Sequence, residues 1–261
     1  MIHQNTLKNQ KTLARTLIFK PHPNNMVLSS SPTSVDEGIH HRSAKADSAS
    51  VVDLAEFIHS LPPILRRLKE SARESLHARA TQDGLRGTAD DPVGELFGRI
   101  DLGLGEWRKY AHFDPSRNYT RNLVATDDET FTLLLLCWNP GRESPIHDHP
   151  CDGCWVRVCD GKIQETRYEV NEKTDKLDII SDEIFEDDAP TFINNTLGYH
   201  KVGNPSVSKP AVTLHLYCPP IRKCKIWLDP NDASHPSNAY MCNYSEYGIK
   251  STRVMFEVHV I

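Results

Sequence analysis

The stretch Gly141-Arg-Glu-Ser-Pro-Ile-His147-Asp-His149-Pro-Cys-Asp-Gly-Cys154 holds two histidines two residues apart, within sequence typical of β-strands. Because residues i and i+2 of a strand face the same side, we expect His147 and His149 to point together into an interior, and Asp148 to point to the opposite face. Two imidazoles on one face are half of a metal site, since neutral imidazole suits iron, zinc, copper and nickel. His200, in a second strand-rich stretch, is the candidate third ligand. The spacing therefore predicts a metal held inside a small barrel.

The chain from about Asn118 onward alternates short strand-like runs with turn-forming residues. The strand-like runs cover residues 123–124, 131–138, 155–158, 163–170, 177–184, 191–194, 211–217, 226–228 and 255–260. Short strands at regular spacing are typical of an antiparallel barrel or jelly roll. Asp160-Gly161 has the composition of a tight hairpin turn. We therefore predict a mainly β fold, with the barrel over residues 118–261.

Residues 51–113, ahead of the barrel, carry a helical pattern. Leu54, Phe57 and Leu61 fall on one helix face. Pro62-Pro63 is predicted to end this helix, and a second helix is predicted to begin near Ser60. A further helical stretch is expected over roughly residues 92–113.

The first fifty residues have a different composition, rich in Ser, Asn, His and Pro, with no sustained apolar period. We predict that residues 1–50 form a disordered or flexible extension to one domain over residues 51–261. No acidic residue precedes Asp36, and several basic ones do, so a mitochondrial transit peptide is an alternative reading of this segment.

Composition excludes several classes of function. The net charge of −5 provides no general basic field of the kind that attracts nucleic acid. The longest apolar runs are far shorter than a membrane span, so no membrane partner is expected. The seven cysteines are an odd number without the spacing of a small disulfide-rich domain, which favours reduced thiols in a cytoplasmic protein.

A longer motif gives the histidine pair its context. The pattern G-x5-H-x-H-x4-C-x6-G fits Gly141, His147, His149, Cys154 and Gly161 without adjustment, and H-x3-N follows from residue 200. Together the two motifs resemble the cupin superfamily, whose fold is a double-stranded β-helix, a jelly-roll barrel. Most cupins place a metal-binding glutamate where this chain has Cys154. The resemblance thus implies a metal shell of three histidines and no carboxylate.

Three neutral imidazoles leave a divalent metal with its full charge, whereas a carboxylate ligand would offset part of it. The surplus charge favours an anionic ligand supplied by the substrate. A thiolate is the obvious candidate, because a bound metal deprotonates a coordinating thiol.

Four runs of sequence resemble the cysteine dioxygenase family, from about Val51 to near the end of the chain. They are residues 119–124 (YTRNLV), 146–149 (IHDH), 198–202 (GYHKV) and 211–220 (AVTLHLYCPP). The resemblance implies a monomeric enzyme that oxidises L-cysteine with O2 to cysteine sulfinate at a non-haem Fe(II). This reaction is the first step of cysteine catabolism toward taurine and sulfate.

The resemblance also implies roles for individual residues. His147, His149 and His200 match the iron ligands. Arg121 matches the arginine that pairs with the substrate carboxylate, a role suited to a planar guanidinium that binds carboxylates bidentately. Tyr119 matches a tyrosine that lines the same pocket.

Two further positions match a covalent feature of animal members of the family. Cys154 and Tyr217 correspond to the cysteine and tyrosine that become joined by a thioether bond, although an unlinked buried contact is the alternative. Thr213, His215 and Tyr217 alternate along one predicted strand and are expected on one face. His215 and the hydroxyl of Thr213 match residues that support the tyrosine hydroxyl by hydrogen bonding.

Other interpretations stay open from the sequence. A related dioxygenase could act on 3-mercaptopropionate or cysteamine, although Arg121 favours an α-amino-acid substrate. A metal-binding cupin without catalytic activity is a second alternative. Cys151-x-x-Cys154 is a weak signal for zinc or redox chemistry, because no partner pair has the required spacing.

Overall fold

The strand-like runs form two β-sheets in the computed structural model, which describes residues 50–74, 91–186 and 190–251. The strands are, in chain order, β1 (Tyr119–Thr126), β2 (Thr132–Trp138), β3 (Ile146–His147), β4 (Gly153–Asp160), β5 (Ile163–Asn171), β6 (Lys176–Phe185), β7 (Thr191–Ile193), β8 (Tyr199–Gly203), β9 (Ala211–Cys218), β10 (Lys223–Trp227), β11 (Ser237–Tyr240), β12 (Ser245–Glu246) and β13 (Ile249–Lys250).

One sheet has the strand order β13-β12-β1-β2-β9-β4-β7 and the other has the order β11-β10-β3-β8-β5-β6. Neighbouring strands are antiparallel except for β1 and β12, which run parallel. The two sheets enclose a shared interior, in which Leu134 and Val156 of the first sheet cluster with Ile163 and Val202 of the second. The architecture is the predicted double-stranded β-helix of the cupin type, and the mainly β prediction is confirmed.

Strands β2 and β9 are apolar along their whole length because both of their faces are covered. Along β2, Leu134 and Leu136 point into the space between the sheets, whereas Leu133 and Leu135 pack against the N-terminal helices. This alternation follows from the two-residue period of a strand. The inward positions of β9 are the ones that carry Thr213, His215 and Tyr217, so the functional candidates share the interior with the barrel core.

Helix α1 (Leu54–Glu74) continues without a break across Pro62-Pro63, so the prediction of two helices separated at these prolines was wrong. Each internal proline removes a backbone hydrogen bond and costs about 3 kcal/mol in an exposed helix. The apolar face keeps its register across them, with Phe57, Leu61 and Leu65 all buried against the barrel and the second helix. Burial at about 1.5–3 kcal/mol for each such side chain offsets the loss.

Helix α2 (Pro92–Gly98) is shorter than the predicted helical stretch over residues 92–113. Two 3-10 turns, Leu102–Leu104 and Glu106–Tyr110, follow it. The Asp101 carboxylate accepts a hydrogen bond from the Gly103 backbone at 2.9 Å. Such local bonds compete with the helical ladder, which is why aspartate favours turns and caps.

The turn at Asp160-Gly161 exists, but it does not make a hairpin. Gly161 has the positive φ of 75° that suits a tight turn. The flanking strands β4 and β5 nevertheless lie in different sheets, and Asp160 pairs with Val212 of β9. The turn therefore carries the chain from one sheet to the other, an outcome set by strand pairing rather than by turn composition.

Two predictions concern residues outside the described ones. These are nearly all of the extension over residues 1–50 and the strand at 255–260. Neither helix in the described segments is both long and apolar enough to cross a bilayer.

Candidate metal centre and active site

The three histidines predicted to bind metal come together between the sheets. His147 ends β3 and His200 lies on β8, where the two residues are direct partners across the strands. His149 follows β3 in a loop, so strand alternation does not account for its position. Its backbone N–H donates instead to the side-chain oxygen of Asn195 at 2.6 Å, which holds the loop against the 3-10 turn that precedes β8.

The nitrogen atoms of these side chains form one cluster. One ligand atom of each of His147, His149 and His200 lies within 4.8 Å of the others. The ring centroids are 4.6–4.9 Å apart. Asp148 is outside the cluster, because its carboxylate accepts a hydrogen bond from the Lys225 backbone at 2.7 Å. Its side chain is therefore turned away from the site, as the sequence predicted.

The hydrogen bonds of two histidines define which nitrogen faces the cluster. His147 Nδ1 lies 3.0 Å from the carbonyl oxygen of Pro145, and His200 Nδ1 lies 2.5 Å from a carboxylate oxygen of Glu165. Because both oxygens accept, each Nδ1 carries the proton and each Nε2 presents a lone pair. The two Nε2 atoms are 3.2 Å apart.

A metal ion fits this arrangement. Two lone pairs at such a distance repel each other unless a cation lies between them. Nδ1 of His149 is buried and has no hydrogen-bond partner among the described residues, which is a further sign of a polar site that protein groups alone do not satisfy.

Burial keeps the three imidazoles neutral, which is the form that binds metal. It lowers the pKa of His147 to about 4. It also lowers the pKa values of His149 and His200 well below the usual range, and the neighbouring histidines add to both shifts.

Glu165, on β5, is a site residue that the sequence analysis missed. Its other carboxylate oxygen accepts from Arg167 Nε at 3.2 Å, and both side chains are buried. Two charged residues at i and i+2 within a predicted strand were the available signal, since they must share a face. Which face it is depends on the pairing of β5 with β8, and that pairing is not visible in the sequence.

A small cavity beside the histidines is lined by the predicted substrate-binding residues. Arg121 and Tyr119 line it together with His147, His200 and Tyr217. Arg121 Nη2 donates to the Tyr119 hydroxyl at 2.6 Å. Trp138 and Met241 also line the cavity, and the Trp138 ring stacks on Tyr119 with centroids 4.5 Å apart. Met241 comes from a loop that the sequence analysis did not connect with the site.

Cys154 and Tyr217 lie on β4 and β9, in the same sheet as the strand β1 that carries Arg121. They are direct partners across β4 and β9, and both are buried. Burial raises the pKa of the Cys154 thiol well above its usual value, while a hydrogen bond with the Tyr217 side chain opposes the shift. The pKa of Tyr217 is also raised well above its usual value, chiefly by burial. Both groups are therefore protonated at neutral pH.

His215 and its neighbours form a polar chain next to Tyr217. Trp138 Nε1 donates to the Thr213 hydroxyl at 2.8 Å, and that hydroxyl is 2.8 Å from His215 Nε2. The His215 and Tyr217 rings are nearly parallel, with centroids 6.2 Å apart. The link between Thr213 and Trp138 was not foreseen from the sequence.

Cys151 does not join Cys154 in a metal site. Among the residues that the structure describes, the histidine cluster is the only group of three or more potential ligands close enough to share an ion. This finding gives no support to the zinc interpretation of the Cys151-x-x-Cys154 pair.

A cluster of three histidines, two buried and one partly buried, between the sheets of a double-stranded β-helix defines a metal-binding cupin. Comparison with known proteins identifies the family of cupins to which this chain belongs. A family model described as cysteine dioxygenase type I matches residues 91–229. The chain belongs to the type I cysteine dioxygenase family, and it is a dioxygenase enzyme.

Individual relatives agree with this assignment. Cysteine dioxygenase type 1 of Bos taurus is 37% identical over 147 residues, which are 56% of this chain and 72% of the relative. The Homo sapiens protein of the same name is 35% identical with the same coverage. That of Danio rerio is 34% identical over 145 residues, which are 55% of this chain and 71% of the relative. Family membership argues against the alternative of a cupin without catalytic activity.

Proposed function

We propose that the protein oxidises L-cysteine with O2 to cysteine sulfinate at an Fe(II) held by His147, His149 and His200. The reaction balances as R–SH plus O2 giving R–SO2H, so both oxygen atoms end on sulfur. One observation carries the proposal: the Arg121 guanidinium lines the same small cavity as the histidine cluster. A substrate with a carboxylate and a thiol a few bonds apart can therefore reach both groups at once.

Arg121 binds the substrate carboxylate in this proposal. A guanidinium offers two parallel N–H groups to a carboxylate, and such charge-assisted pairs are roughly twice as strong as neutral hydrogen bonds. The Tyr119 hydroxyl accepts from one Arg121 nitrogen and so fixes the orientation of the planar group. The Trp138 ring stacks on Tyr119 and keeps the phenol in place.

The three histidines hold the ferrous ion in their neutral form. Bound there, Fe(II) would offer open coordination sites to the thiolate and amine of cysteine and would activate O2. Since the protein supplies no carboxylate ligand, the thiolate is the anion that balances the metal charge.

Tyr217 acts as a hydrogen-bond donor in the same cavity. Its hydroxyl stays protonated, because burial raises its pKa well above the usual value. It can donate to the substrate carboxylate or to oxygen near sulfur, while His215, anchored through Thr213, packs against the ring. Each hydrogen bond from these donors is stronger than in water, because the buried side chains around them lower the local dielectric constant.

We further propose that Cys154 and Tyr217 become joined by a thioether bond. One S–C bond forms to a ring carbon beside the phenol oxygen, and one S–H and one ring C–H bond break. The two electrons and two protons pass to O2, the oxidant that the proposed activity already uses. The direct pairing of the two residues across β4 and β9 supports this step.

The wider setting belongs to the same proposal. We infer a monomer in the cytoplasm that takes L-cysteine and O2 as its only partners and begins cysteine catabolism toward taurine and sulfate. The seven cysteines without disulfide-domain spacing support a reducing compartment, and the net charge of −5 argues against a nucleic-acid partner.

The experiment is anaerobic loading with Fe(II), followed by oxygen uptake with L-cysteine, 3-mercaptopropionate and cysteamine in parallel. We expect the largest kcat/KM with L-cysteine, one O2 consumed for each sulfinate formed, and loss of uptake in H200A. A preference for 3-mercaptopropionate or cysteamine would overturn the proposed substrate. Tight metal binding with no oxygen uptake on any thiol would overturn the proposed activity altogether.

A further inference from the structure

His200 differs from the other two histidines of the cluster in the hydrogen-bond partner of its Nδ1 atom. Its Nδ1 donates to Glu165 at 2.5 Å, and the two side chains are 2% and 6% exposed. His147 Nδ1 faces only a neutral carbonyl, and Nδ1 of His149 has no protein partner in the described part of the chain. The carboxylate contact is therefore particular to His200.

The carboxylate is held in place from both sheets. Arg167, also on β5, donates from Nε to Glu165 at 3.2 Å and from Nη2 to the carbonyl of Phe192 at 2.8 Å. Phe192 lies on β7, which belongs to the opposite sheet. Arg167 therefore links Glu165 to the opposite sheet, so both sheets fix the position of the Glu165 carboxylate.

This buried charge pair has no evident benefit for folding. Removing two charges from water costs several kcal/mol for each ion, and apolar replacements of such pairs are often neutral or stabilising. Support of the metal-binding His200 by Glu165 gives a functional reason for a charge pair at this position. A carboxylate that accepts the N–H of a metal-binding histidine orients the ring and makes the opposite nitrogen a stronger donor.

We propose that Glu165 is a positioning residue of the metal centre: it fixes the His200 tautomer with Nε2 toward the metal and makes His200 the strongest donor of the three histidines. Arg167 holds the Glu165 carboxylate in its orientation. The inference rests on the proposed metal centre, and it predicts that Glu165 raises metal affinity and lowers the reduction potential of bound iron.

The variants separate charge from shape. E165Q keeps an oxygen that can accept from His200 but loses the charge, and it leaves Arg167 with an uncompensated charge. The double variant E165Q/R167Q removes both charges and keeps the local charge balance. E143Q is the matched control, because Glu143 is an exposed carboxylate paired with Lys201, the residue next to His200.

Two readouts report on the metal centre without cysteine turnover. The first is the dissociation constant for Zn(II), a redox-inert probe, measured by competition with a chelator. The second is the reduction potential of bound iron, measured by an anaerobic spectroscopic titration. We expect E165Q/R167Q to bind Zn(II) about 10–100-fold more weakly than the wild type, as is typical when a second-layer partner of a metal ligand is removed. Its iron potential should rise, and E143Q should match the wild type in both readouts.

A merely structural role for Glu165 predicts a lower melting temperature of the metal-free protein with no change in the potential. Wild-type affinity and potential in a folded E165Q/R167Q variant would overturn the proposal. If circular dichroism shows that this variant does not fold, the Zn(II) affinity of E165D tests the proposal instead. E165D keeps the charge and withdraws the carboxylate from His200. An intermediate affinity is expected for E165D, and wild-type affinity would overturn the proposal. A wild-type protein that binds no metal would instead refute the proposed function.

Discussion

Cys154 and Tyr217 lie directly opposite each other on β4 and β9, with both side chains buried. Directly opposed residues of an antiparallel pair have Cβ atoms about 4.5–5.5 Å apart, which is within reach of a cysteine sulfur and an aromatic ring. The pairing register therefore holds the two reactive groups together before any bond forms.

We expect the protein incubated with Fe(II), L-cysteine and O2 to contain a population lighter by two hydrogen atoms. Intact mass and peptide mapping would locate the change at Cys154 and Tyr217. The variants C154S and Y217F should lack it, whereas C151S should retain it, because Cys151 is not the strand partner of Tyr217. A wild-type sample that stays wholly at the unmodified mass would show that no link forms.

R121A should lose far more activity on L-cysteine than on cysteamine, which has no carboxylate. A hydrogen bond to a charged group contributes about 1.5–3 kcal/mol. We therefore expect kcat/KM for L-cysteine to fall by about 10–100-fold or more, since 1.4 kcal/mol is a factor of about ten. R121K, which keeps the charge without the planar fork, should be intermediate. Equal losses on both substrates would contradict the assigned role.

H200A should abolish the stabilisation that metal gives to the fold. A ligand that binds only the native state stabilises it by about 2.7 kcal/mol at 100 times its Kd. Thermal melting with and without Zn(II) would measure this difference. The control is H235A, because His235 is exposed and outside the cluster. Full retention of the metal-dependent shift in H200A would remove His200 from the site.

Gly198 precedes the strand that carries His200, and its backbone requires glycine. Its φ is 103°, and an added Cβ would lie 2.5 Å from the carbonyl oxygen of Tyr168. We expect G198A to destabilise the protein by about 2 kcal/mol or more and to weaken metal binding, because non-glycine residues in this region cost about 1–3 kcal/mol even without a clash.

The control for this prediction is G141A. Gly141 has a positive φ of 65°, but nothing lies within 4 Å of an added Cβ. G141A should therefore cost only about 1–2 kcal/mol of backbone strain and leave metal affinity unchanged. Chemical denaturation and chelator competition would measure both quantities, and equal metal affinity in the two variants would contradict the role assigned to Gly198.

Arg157 joins the barrel to the helices and should matter for stability rather than for catalysis. Its Nη1 donates to the carbonyls of Phe97 and Ile100 at 2.9 and 2.7 Å. We expect R157M to lower the free energy of unfolding by about 3 kcal/mol or more, since it removes two buried hydrogen bonds from a charged donor, and such bonds contribute about 1.5–3 kcal/mol each. The kcat of the folded fraction should stay near the wild-type value. K162M, at a half-exposed surface position, should change the stability by less than about 1 kcal/mol.

Local spacing made much of the site predictable. The i and i+2 periodicity of strands placed Thr213, His215 and Tyr217 on one face, and the structure has them there. The His-x-His pair was also found from its spacing, although β3 ends at His147 and a hydrogen bond from Asn195 places His149. The prediction of the pair succeeded, whereas the physical reason offered for it was incomplete.

The sequence by itself determined the mainly β fold and pointed to the histidines of the centre, because a strand period and motifs of fixed spacing encode them, whereas Arg121 was identified only through the family resemblance. Tertiary structure alone decided that α1 continues through Pro62-Pro63, that the turn at Gly161 crosses between sheets, and that Glu165 supports His200. Those outcomes depend on which strands pair and what packs against a helix. Such contacts join residues far apart in the chain, and their energies exceed the local preferences that a sequence pattern reports.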